Sequence, residues 1–543
     1  MTDRTAEHVA PSTRDPKWWT LTAVCLGVFM LLLDITIVNV ALPDIQSQLN
    51  ASLSDLQWVI DAYALSLAAL LLTAGSLADL FGRRRLFVIG LVIFTVGSVA
   101  CGAAQDIFFL QISRAFQGIG GAAMFATALA LLASAFHGKD RGTAFGVFGA
   151  TTGVAVAIGP VLGGALTSGL SWRWIFFVNI PICLVALAVS ALKVVESKDP
   201  HAGRPDWLGF ISFSLALAAL VYGLIEAGKD GWGEGRVVAS LIASGALLVV
   251  FVVTQLVQDK PMFDLGLLRK PTFTGGLVAA FGVSASIFSL LTYLVIYVQN
   301  VLGYSAVDTG VRFLFLSGAS FFAAAAAGRL TEHLPAKWLI GPGFLILGVG
   351  LLLIHGIHAD SSWTHLIPGL LVSGVGIGMI NPPLASTAVG VVPVARAGMA
   401  SGVNSTFRQV GIATGIAALG SIFSQQVSDA VRPELSGKVP PQALDGLTAA
   451  LSGGQVQAAA HGAQQAATQA QGPSVGQQAF DLVHQVGTSA VVDALNHITL
   501  IAAVMAFASG VLSLVLIRQK DFVDRSVQPQ GDADAETSAA AVG

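Results

Sequence analysis

Charged residues are scarce in this chain. Asp, Glu, Lys and Arg together make up 11% of the 543 residues, hydrophobic residues make up 54%, and the mean hydropathy is +0.75. A soluble domain of this length needs a charged surface, so the composition excludes the soluble classes and indicates an all-α polytopic membrane protein. There is no basic patch, and we expect no nucleic-acid partner.

Cysteine is also scarce. Cys25, Cys101 and Cys183 lie in apolar runs without metal-binding or redox spacing. We therefore expect inert buried thiols, no metal site and no cofactor. A cleavable signal is not expected either, because the first apolar run (18–41) is too long for a signal peptide and lacks a small-residue cleavage site.

Apolar runs long enough to cross a bilayer, which takes about 20 residues, occur along most of the chain. Fourteen are predicted, at about 18–41, 57–79, 86–104, 107–135, 143–167, 174–194, 207–226, 236–257, 272–299, 307–328, 338–358, 364–392, 398–424 and 495–517. An even number of spans leaves both termini on one side of the membrane.

Basic residues are distributed unequally about these spans. Of the 28 Lys and Arg residues, two lie within spans (Arg114 and Arg408), six lie on one side (Arg173, Lys229, Arg236, Arg312, Arg432 and Lys438), and the rest lie on the other. The basic side is cytoplasmic by the positive-inside rule. We therefore expect both termini in the cytoplasm, and the high Ala and Gly content suggests a bacterial plasma membrane.

The loop between the second and third spans, residues 75–86, reads Gly-Ser-Leu-Ala-Asp-Leu-Phe-Gly-Arg-Arg-Arg-Leu. Gly75 and Gly82 permit a tight turn between the two spans. Asp79 lies within reach of Arg83 and Arg84, and such an ion pair would hold the helices together while the cytoplasmic side is closed. The alternative is that the arginines only fix the topology.

An internal repeat divides the chain. The segment 117–120 is echoed by 373–376, and 142–147 by 398–403. Duplicated helical units with a site between them are typical of secondary transporters. The predicted organisation is a cytoplasmic tail (1–17), a six-helix bundle (18–194), two inserted spans (195–260), a second six-helix bundle (261–517) with an external loop (425–494), and a disordered cytoplasmic tail (518–543). The external loop is interpreted as a helical hairpin over the outer mouth, or as a flexible spacer.

Several motifs resemble the major facilitator superfamily, and specifically its fourteen-helix drug:proton antiporter branch, which includes multidrug and quaternary-ammonium exporters. The residues concerned are 75–86 in the cytoplasmic loop, 33–43 in the first span, Arg114 with 117–118 in the fourth, 153–164 in the fifth, and 172–176 and 179–181 beyond it. The first-span and fifth-span motifs together imply export. The resemblance also implies that the fifth helix closes the pore against proton leak.

Asp34 and Arg114 are the charged residues expected to meet. Each lies about 10–12 Å below the outer membrane surface, at a helical rise of about 1.5 Å per residue. A proton could compete with Arg114 for the carboxylate and so act as a coupling switch, or the two residues could form a permanent structural ion pair. The corresponding position in the second half is Leu370, so coupling is expected in the first half.

Asp61 is a second candidate carboxylate. It lies four residues after Gln57, near the outer start of the second span. It could bind a proton or a cationic substrate, or it could be a helix-entry residue exposed to outer solvent.

The fifth span is rich in glycine. Gly153, Gly159, Gly163 and Gly164 permit close contact between helices, and Pro160 leaves a carbonyl of the preceding turn without its helical partner and permits a bend. Packing alone would explain the glycines but less easily the proline.

The substrate cavity is predicted from polar and aromatic residues within the spans: Asn39, Gln117, Phe288, Tyr293, Tyr297, Asn381, Asn404 and Arg408. Aromatic rings suit lipophilic cations, although the same spacing fits helix packing and an interfacial belt. Arg408 could bind an anionic group or bridge two helices.

The sequence thus predicts a monomeric antiporter, not an enzyme, that uses the proton motive force to export lipophilic compounds, cationic ones among them, from a lipid membrane. Alternatives are a dedicated exporter of an endogenous antibiotic or lipid, a proton-driven importer, and a multispan membrane enzyme. The enzyme alternative has little support, because the acidic residues of the external loop are scattered.

Overall fold

The structure, a computed structural model, describes residues 16–136, 138–198, 205–258, 261–331, 334–392 and 397–522, with most of their side chains. The first unit consists, where it is described, of helices joined by short loops. Its helices are α1 (Pro16–Leu49), α2 (Leu53–Phe81), α3 (Arg83–Gly102), α4 (Ile107–Ala135), α5 (Gly138–Gly169), α6 (Trp174–Phe177) and α7 (Asn179–Lys193).

Two helices, α8 (Trp207–Asp230) and α9 (Gly235–Val257), precede a second unit. That unit contains α10 (Pro271–Val283), α11 (Ser289–Ile296), α12 (Ala306–Leu330), α13 (Lys337–Ile354), α14 (Leu366–Gly390), α15 (Ala397–Leu435), α16 (Pro441–Ser452), α17 (Val456–Gln471) and α18 (Pro473–Leu516). One-turn π-helical segments, Ser284–Phe288 and Tyr297–Val301, join α10 to α11 and extend α11.

The membrane character is confirmed. Twelve helices in the described part of the chain are long and apolar enough to cross a bilayer. The remaining long helices, α2 and α5, have 29 and 32 residues but include residues whose side chains are not described. Fourteen spans are consistent with this architecture, although the total of fourteen stays a prediction.

The internal repeat is visible in the packing of α4 and α14. A Cβ on Gly120 would lie 2.7 Å from the carbonyl oxygen of Gly90 on α3, and a Cβ on Gly376 would lie 2.7 Å from that of Gly343 on α13. Glycine at these positions brings the helix backbones into contact. The same close approach therefore occurs once in each unit.

The two units meet at the end of the bundle where α1 ends and α2 begins, which is the outer end in the predicted topology. Here Thr292 Oγ1 donates to Asn39 Oδ1 at 3.2 Å, and Gln299 Nε2 donates to the carbonyl of Val40 at 2.8 Å. Ser52 caps α2 at this end by accepting from the amide of Asp55 at 3.2 Å. These contacts close the predicted outer end.

The inserted helix α8 packs against both units. Val221 and Ile225 contact Ala64 of α2 and Ala413 of α15 in one buried cluster. Near the start of α8, buried Asp206 accepts from Gln255 Nε2 of α9 at 2.6 Å. The inserted pair is thus fixed internally and lies beside the contact between α2 and α15.

The predicted external segment is largely helical. Helix α15 continues to Leu435 and α18 begins at Pro473, so the spans extend well beyond their expected ends. Between them, α16 and α17 form a hairpin whose Leu451 and Val456 are buried in the core of the second unit. Gln46 Nε2 of α1 donates to the carbonyl of Gly453 in the hairpin turn at 3.2 Å. The hairpin therefore lies over the predicted outer end.

Candidate functional site

Asp34 and Arg114 form an ion pair inside the first unit. Arg114 Nη1 lies 2.5 Å from Asp34 Oδ2, and the two residues are 1% and 0% exposed. The match in depth inferred from the helical rise therefore corresponds to direct contact between α1 and α4. Charges at this depth are stable only when they are paired and hydrogen-bonded.

The second oxygen of Asp34 accepts hydrogen bonds from two amides. Gln117 Nε2 of α4 and Asn179 Nδ2 of α7 each donate to Asp34 Oδ1 at 3.0 Å. Both amides also donate to Ser98 Oγ of α3, at 3.2 and 2.9 Å, and Ser98 in turn donates to the carbonyl of Phe176. Four helices therefore converge on one carboxylate, because every one of these contacts donates to it or orients such a donor.

Arg114 has partners other than Asp34. Its Nη1 donates to Gln117 Oε1 at 2.7 Å and its Nε to the carbonyl of Val59 at 3.2 Å. Its guanidinium lies 4.2 Å from the ring centroid of Tyr63, which is a cation-π contact. The arginine can therefore keep its position when the carboxylate is neutralised, and it connects the ion pair to α2.

Sequence reasoning did not identify Ser98 or Tyr63 and quoted Asn179 only within a motif. These residues lie on three different helices, and their spacing in the chain gives no sign that they converge. The only signal in the sequence was that each is a polar residue within an apolar span, at about the same membrane depth as Asp34. Such residues are too common to be singled out.

Asp61 lies in the contact between α2 and α15. Its side chain is 0% exposed, and neither carboxyl oxygen has a hydrogen-bond partner within the described residues. One turn away, Gln57 Nε2 donates to Tyr293 Oη at 3.2 Å and to the carbonyl of Ile416 at 3.1 Å. Asp61 is therefore removed from outer solvent, and a carboxyl group in such a place is stable only with its proton.

The loop between α2 and α3 turns at Gly82, whose φ of +109° favours glycine. A Cβ there would lie 2.7 Å from Glu196, which accepts from the amides of Arg84 and Arg85 at 3.0 and 3.1 Å. Sequence reasoning missed Glu196, whose carboxylate stabilises the N-terminus of α3. The side chain of Asp79 lies outside the described residues, so its ion pair with Arg83 or Arg84 stays a prediction. Among the described residues, no neighbour lies within 4 Å of a Cβ placed on Gly75.

The glycines of α5 contact two helices. A Cβ on Gly159 would overlap Thr36 of α1, and one on Gly163 would lie 2.8 Å from the carbonyl of Ile37. On the other side of α5, Gly164 approaches the backbone of Ala306 in α12, and the carbonyl of Pro160 approaches Gly310. The motif therefore joins both units at the predicted outer end. The surroundings of Gly153 lie outside the described residues.

The predicted cavity residues are placed differently from one another. Gln117 belongs to the Asp34 cluster, and Tyr293 and Tyr297 lie in the core of the second unit. Phe288 and Asn39 are partly exposed. Their roles in substrate binding stay predictions.

Arg408, Asn381 and Asn404 lie within the second unit. Arg408 Nη2 of α15 donates to Asn381 Oδ1 of α14 at 2.6 Å, and both residues are partly exposed. Asn404, one turn away on α15, is buried and donates to the carbonyl of Gly276 at 3.3 Å.

Comparison with known proteins supplies the context for this site. The sequence model of the Major Facilitator Superfamily matches residues 24–416. The chain is 37% identical over 423 residues to the multidrug resistance protein Stp of Mycobacterium tuberculosis, with 78% of each chain covered. It is 36% identical over 422 residues to the puromycin resistance protein pur8 of Streptomyces alboniger, covering 77% of this chain and 84% of that one. It is 32% identical over 425 residues to the tetracenomycin C resistance and export protein of Streptomyces glaucescens, covering 78% and 79%.

Solved structures show the same fold. A bacterial homolog of the human lysosomal transporter Spinster, in an inward-facing and occupied conformation, aligns over 95% of this chain and 100% of that chain with a TM-score of 0.60. The sequences are 17% identical. The likeness therefore concerns the fold alone.

Proposed function

Because the chain belongs to the Major Facilitator Superfamily, we propose that it is a proton-coupled antiporter that exports small lipophilic compounds across the bacterial plasma membrane. Its relatives carry the names of drug resistance and export proteins. The observation that carries the proposal is the buried pair of Asp34 and Arg114, since a carboxylate at this depth is a proton-binding group.

Protonation of Asp34 is the proposed coupling step. A proton on Oδ2 removes the charge that attracts Arg114 Nη1. Arg114 stays bound through Nη1 to Gln117 Oε1 and through Nε to the carbonyl of Val59. Helices α1 and α4 are then free to shift relative to each other. Thr36, two residues after Asp34, packs against Gly159 of α5, so a shift of α1 is passed to the helix that contacts α12.

Asp61 is the proposed second proton carrier. It lies on α2 two residues after Val59, whose carbonyl accepts from Arg114, and it faces the second unit. In the closed outer end it has no hydrogen-bond partner within the described residues and holds its proton. Separation of α2 from α15 would admit water and permit proton release.

The proposal includes the orientation inferred from the basic residues, with both termini in the cytoplasm. The proton gradient is the energy source, no cofactor takes part, and the unit of function is the monomer in lipid. Membership in a transporter family favours this over a membrane enzyme, and the names of the relatives favour export over import.

A susceptibility test in an efflux-deficient host is the experiment that decides. Wild type should raise the tolerated concentration of several lipophilic compounds, and Asp34→Asn should abolish this protection while the protein remains in the membrane. Asp445→Asn is the matched control, because Asp445 is an exposed acid of the hairpin paired with Arg432. Protection by Asp34→Asn equal to that of wild type contradicts the coupling role.

The breadth of the panel separates the two forms of export. Protection against chemically unrelated compounds indicates a multidrug pump, whereas protection against one compound indicates a dedicated exporter. Two relatives are each named for a single antibiotic, puromycin and tetracenomycin C, and these names favour testing for a dedicated exporter as well.

A further inference from the structure

The two arginines within the predicted spans have opposite environments. Arg114 is neutralised by Asp34 and has further hydrogen bonds to Gln117 and Val59. In the described part of the chain, Arg408 has a single polar partner, the neutral amide oxygen of Asn381. Within the described residues, one guanidinium is therefore compensated by a carboxylate and the other is not.

An uncompensated cation at membrane depth is costly, and such residues either pair or line a water-filled space. Arg408 is partly exposed, so part of its side chain borders accessible space. Its hydrogen bond to Asn381 uses one of several N–H groups of the guanidinium. The other N–H groups have no acceptor among the described residues and can donate to a ligand.

Asn381 contributes donors to the same place. Because its side-chain oxygen accepts from Arg408, its NH₂ group is left without another partner among the described residues. It lies beside Pro382 and Pro383 within α14, where the prolines remove backbone donors from the helix. The pair of side chains is therefore rich in N–H donors, and its charge is positive.

Resting on the proposed transport function, we propose that Arg408 and Asn381 bind an ionised oxygen of the exported compound, such as a carboxylate or phenolate. A guanidinium binds such groups with strong, charge-assisted hydrogen bonds. The preferred substrates are thus lipophilic anions, in contrast to the cations suggested by the aromatic residues of the sequence.

An anionic substrate changes the electrical balance of exchange. One proton moving inward against one anion moving outward transfers two elementary charges, whereas a neutral substrate transfers one and a monovalent cation none. The membrane potential, negative inside, then assists export directly. The dependence of transport on membrane potential can therefore be measured on the wild-type protein, without any variant.

Fluorescein and rhodamine 123 are suitable probes, because they share a xanthene scaffold but are anionic and cationic, respectively. Everted membrane vesicles with an imposed proton gradient should accumulate fluorescein in preference to rhodamine 123. Uptake of fluorescein should also increase with an inside-positive potential in these everted vesicles. Both results are expected of the wild-type chain.

The variants locate the site. Arg408→Gln should lower fluorescein uptake about tenfold or more, as expected for loss of a charge-assisted hydrogen bond, and Arg408→Lys should retain an intermediate rate. Arg432→Gln, at an exposed arginine of α15, is the matched control and should transport as wild type does. Size-exclusion profiles of the purified variants check folding.

The outcomes separate this inference from the proposed function. Uptake of rhodamine 123 but not fluorescein by wild type overturns the anion site, as does fluorescein uptake that Arg408→Gln leaves unchanged. If wild type takes up only rhodamine 123 and this uptake is lost in Asp34→Asn, the anion site is overturned but the antiport proposal stands. If no compound accumulates under a proton gradient, both proposals fail.

Discussion

Gln57 of α2 and Tyr293 of α11 are joined by a hydrogen bond of 3.2 Å across the two units. Tyr293 Oη also donates to the carbonyl of Ile416 at 2.6 Å, and Gln57 Nε2 donates to the same carbonyl at 3.1 Å. Asp61 lies one turn from Gln57 in the same helix contact. Closure of the predicted outer end is therefore built around a neutral hydrogen-bond network next to a carboxyl group that has no partner among the described residues.

Tyr293→Phe should loosen this closure. Loss of the hydroxyl removes one donor to the Ile416 carbonyl and one acceptor of Gln57 Nε2, at a cost of about 1 kcal/mol, which is roughly a fivefold change in the population of the open outer end. Labelling of Phe288→Cys by an impermeant maleimide, in a chain without native cysteines, should accelerate accordingly. Tyr222→Phe is the control, because Tyr222 is an exposed residue of α8. Equal labelling rates with and without the Tyr293→Phe substitution would contradict the role of the hydroxyl.

Asn179→Ala should weaken transport by loosening the Asp34 cluster. The amide of Asn179 donates to Asp34 Oδ1 and to Ser98 Oγ, and a hydrogen bond to a charged group is worth about 1.5–3 kcal/mol. Its removal leaves the carboxylate less firmly oriented toward Arg114, so uptake should fall by about tenfold or more. Initial rates of uptake into everted vesicles under a fixed proton gradient measure the loss.

The control for Asn179→Ala lies on the same helix. Ser190 is buried and donates only within α7, to the carbonyl of Ala186 at 2.6 Å. Ser190→Ala should leave the uptake rate unchanged. Uptake by Asn179→Ala equal to that of wild type would show that the amide is not needed to position the carboxylate.

Gly159→Ala should impair transport by displacing α1. The added methyl group would overlap Thr36, and overpacking of this kind costs about 1–3 kcal/mol. Because Asp34 lies two residues before Thr36 in α1, the geometry of its ion pair with Arg114 should change, and uptake should fall by about tenfold. Gly169→Ala in the same helix is the control and should be neutral, because a Cβ there has no neighbour within 4 Å in the described part of the chain. Thr36→Ala should partly rescue Gly159→Ala, and absence of rescue would place the defect elsewhere.

The sequence could predict the height of a residue in the membrane but not its direction around the helix. The helical rise placed Asp34 and Arg114 at one depth, and their contact agrees with that placement. The glycines of α5 indicated close packing, yet nothing in their spacing identified Thr36 on one side and Ala306 on the other. Partners depend on which helices are neighbours, and that is a property of the assembled bundle.

The same limit explains the aromatic residues. Tyr293 and Tyr297 share a face of α11 and its π-helical extension, and a face that is aromatic suits a cavity and a core equally well. Both are buried, and the hydroxyl of Tyr293 finds its partner on α15. Glu196 was missed for a related reason, because a single acidic residue after a span resembles an ordinary loop residue until the loop folds back onto α3.

Cross-linking the external hairpin to α1 should stop transport. The hairpin moves with the second unit, since Leu451 and Val456 are buried in its core, whereas its turn accepts a hydrogen bond from Gln46 of the first unit. Opening of the outer end must separate Gln46 from Gly453.

A reducible thiol linker between Gln46→Cys and Gly453→Cys, in a chain without native cysteines, should therefore abolish uptake into everted vesicles, and reduction should restore it. The control pair, Gln457→Cys with His484→Cys, lies wholly within the second unit, where the two side chains are 3.4 Å apart, and its cross-link should leave transport intact. Transport by the Gln46–Gly453 cross-linked protein would show that the hairpin stays on α1 while the outer end opens.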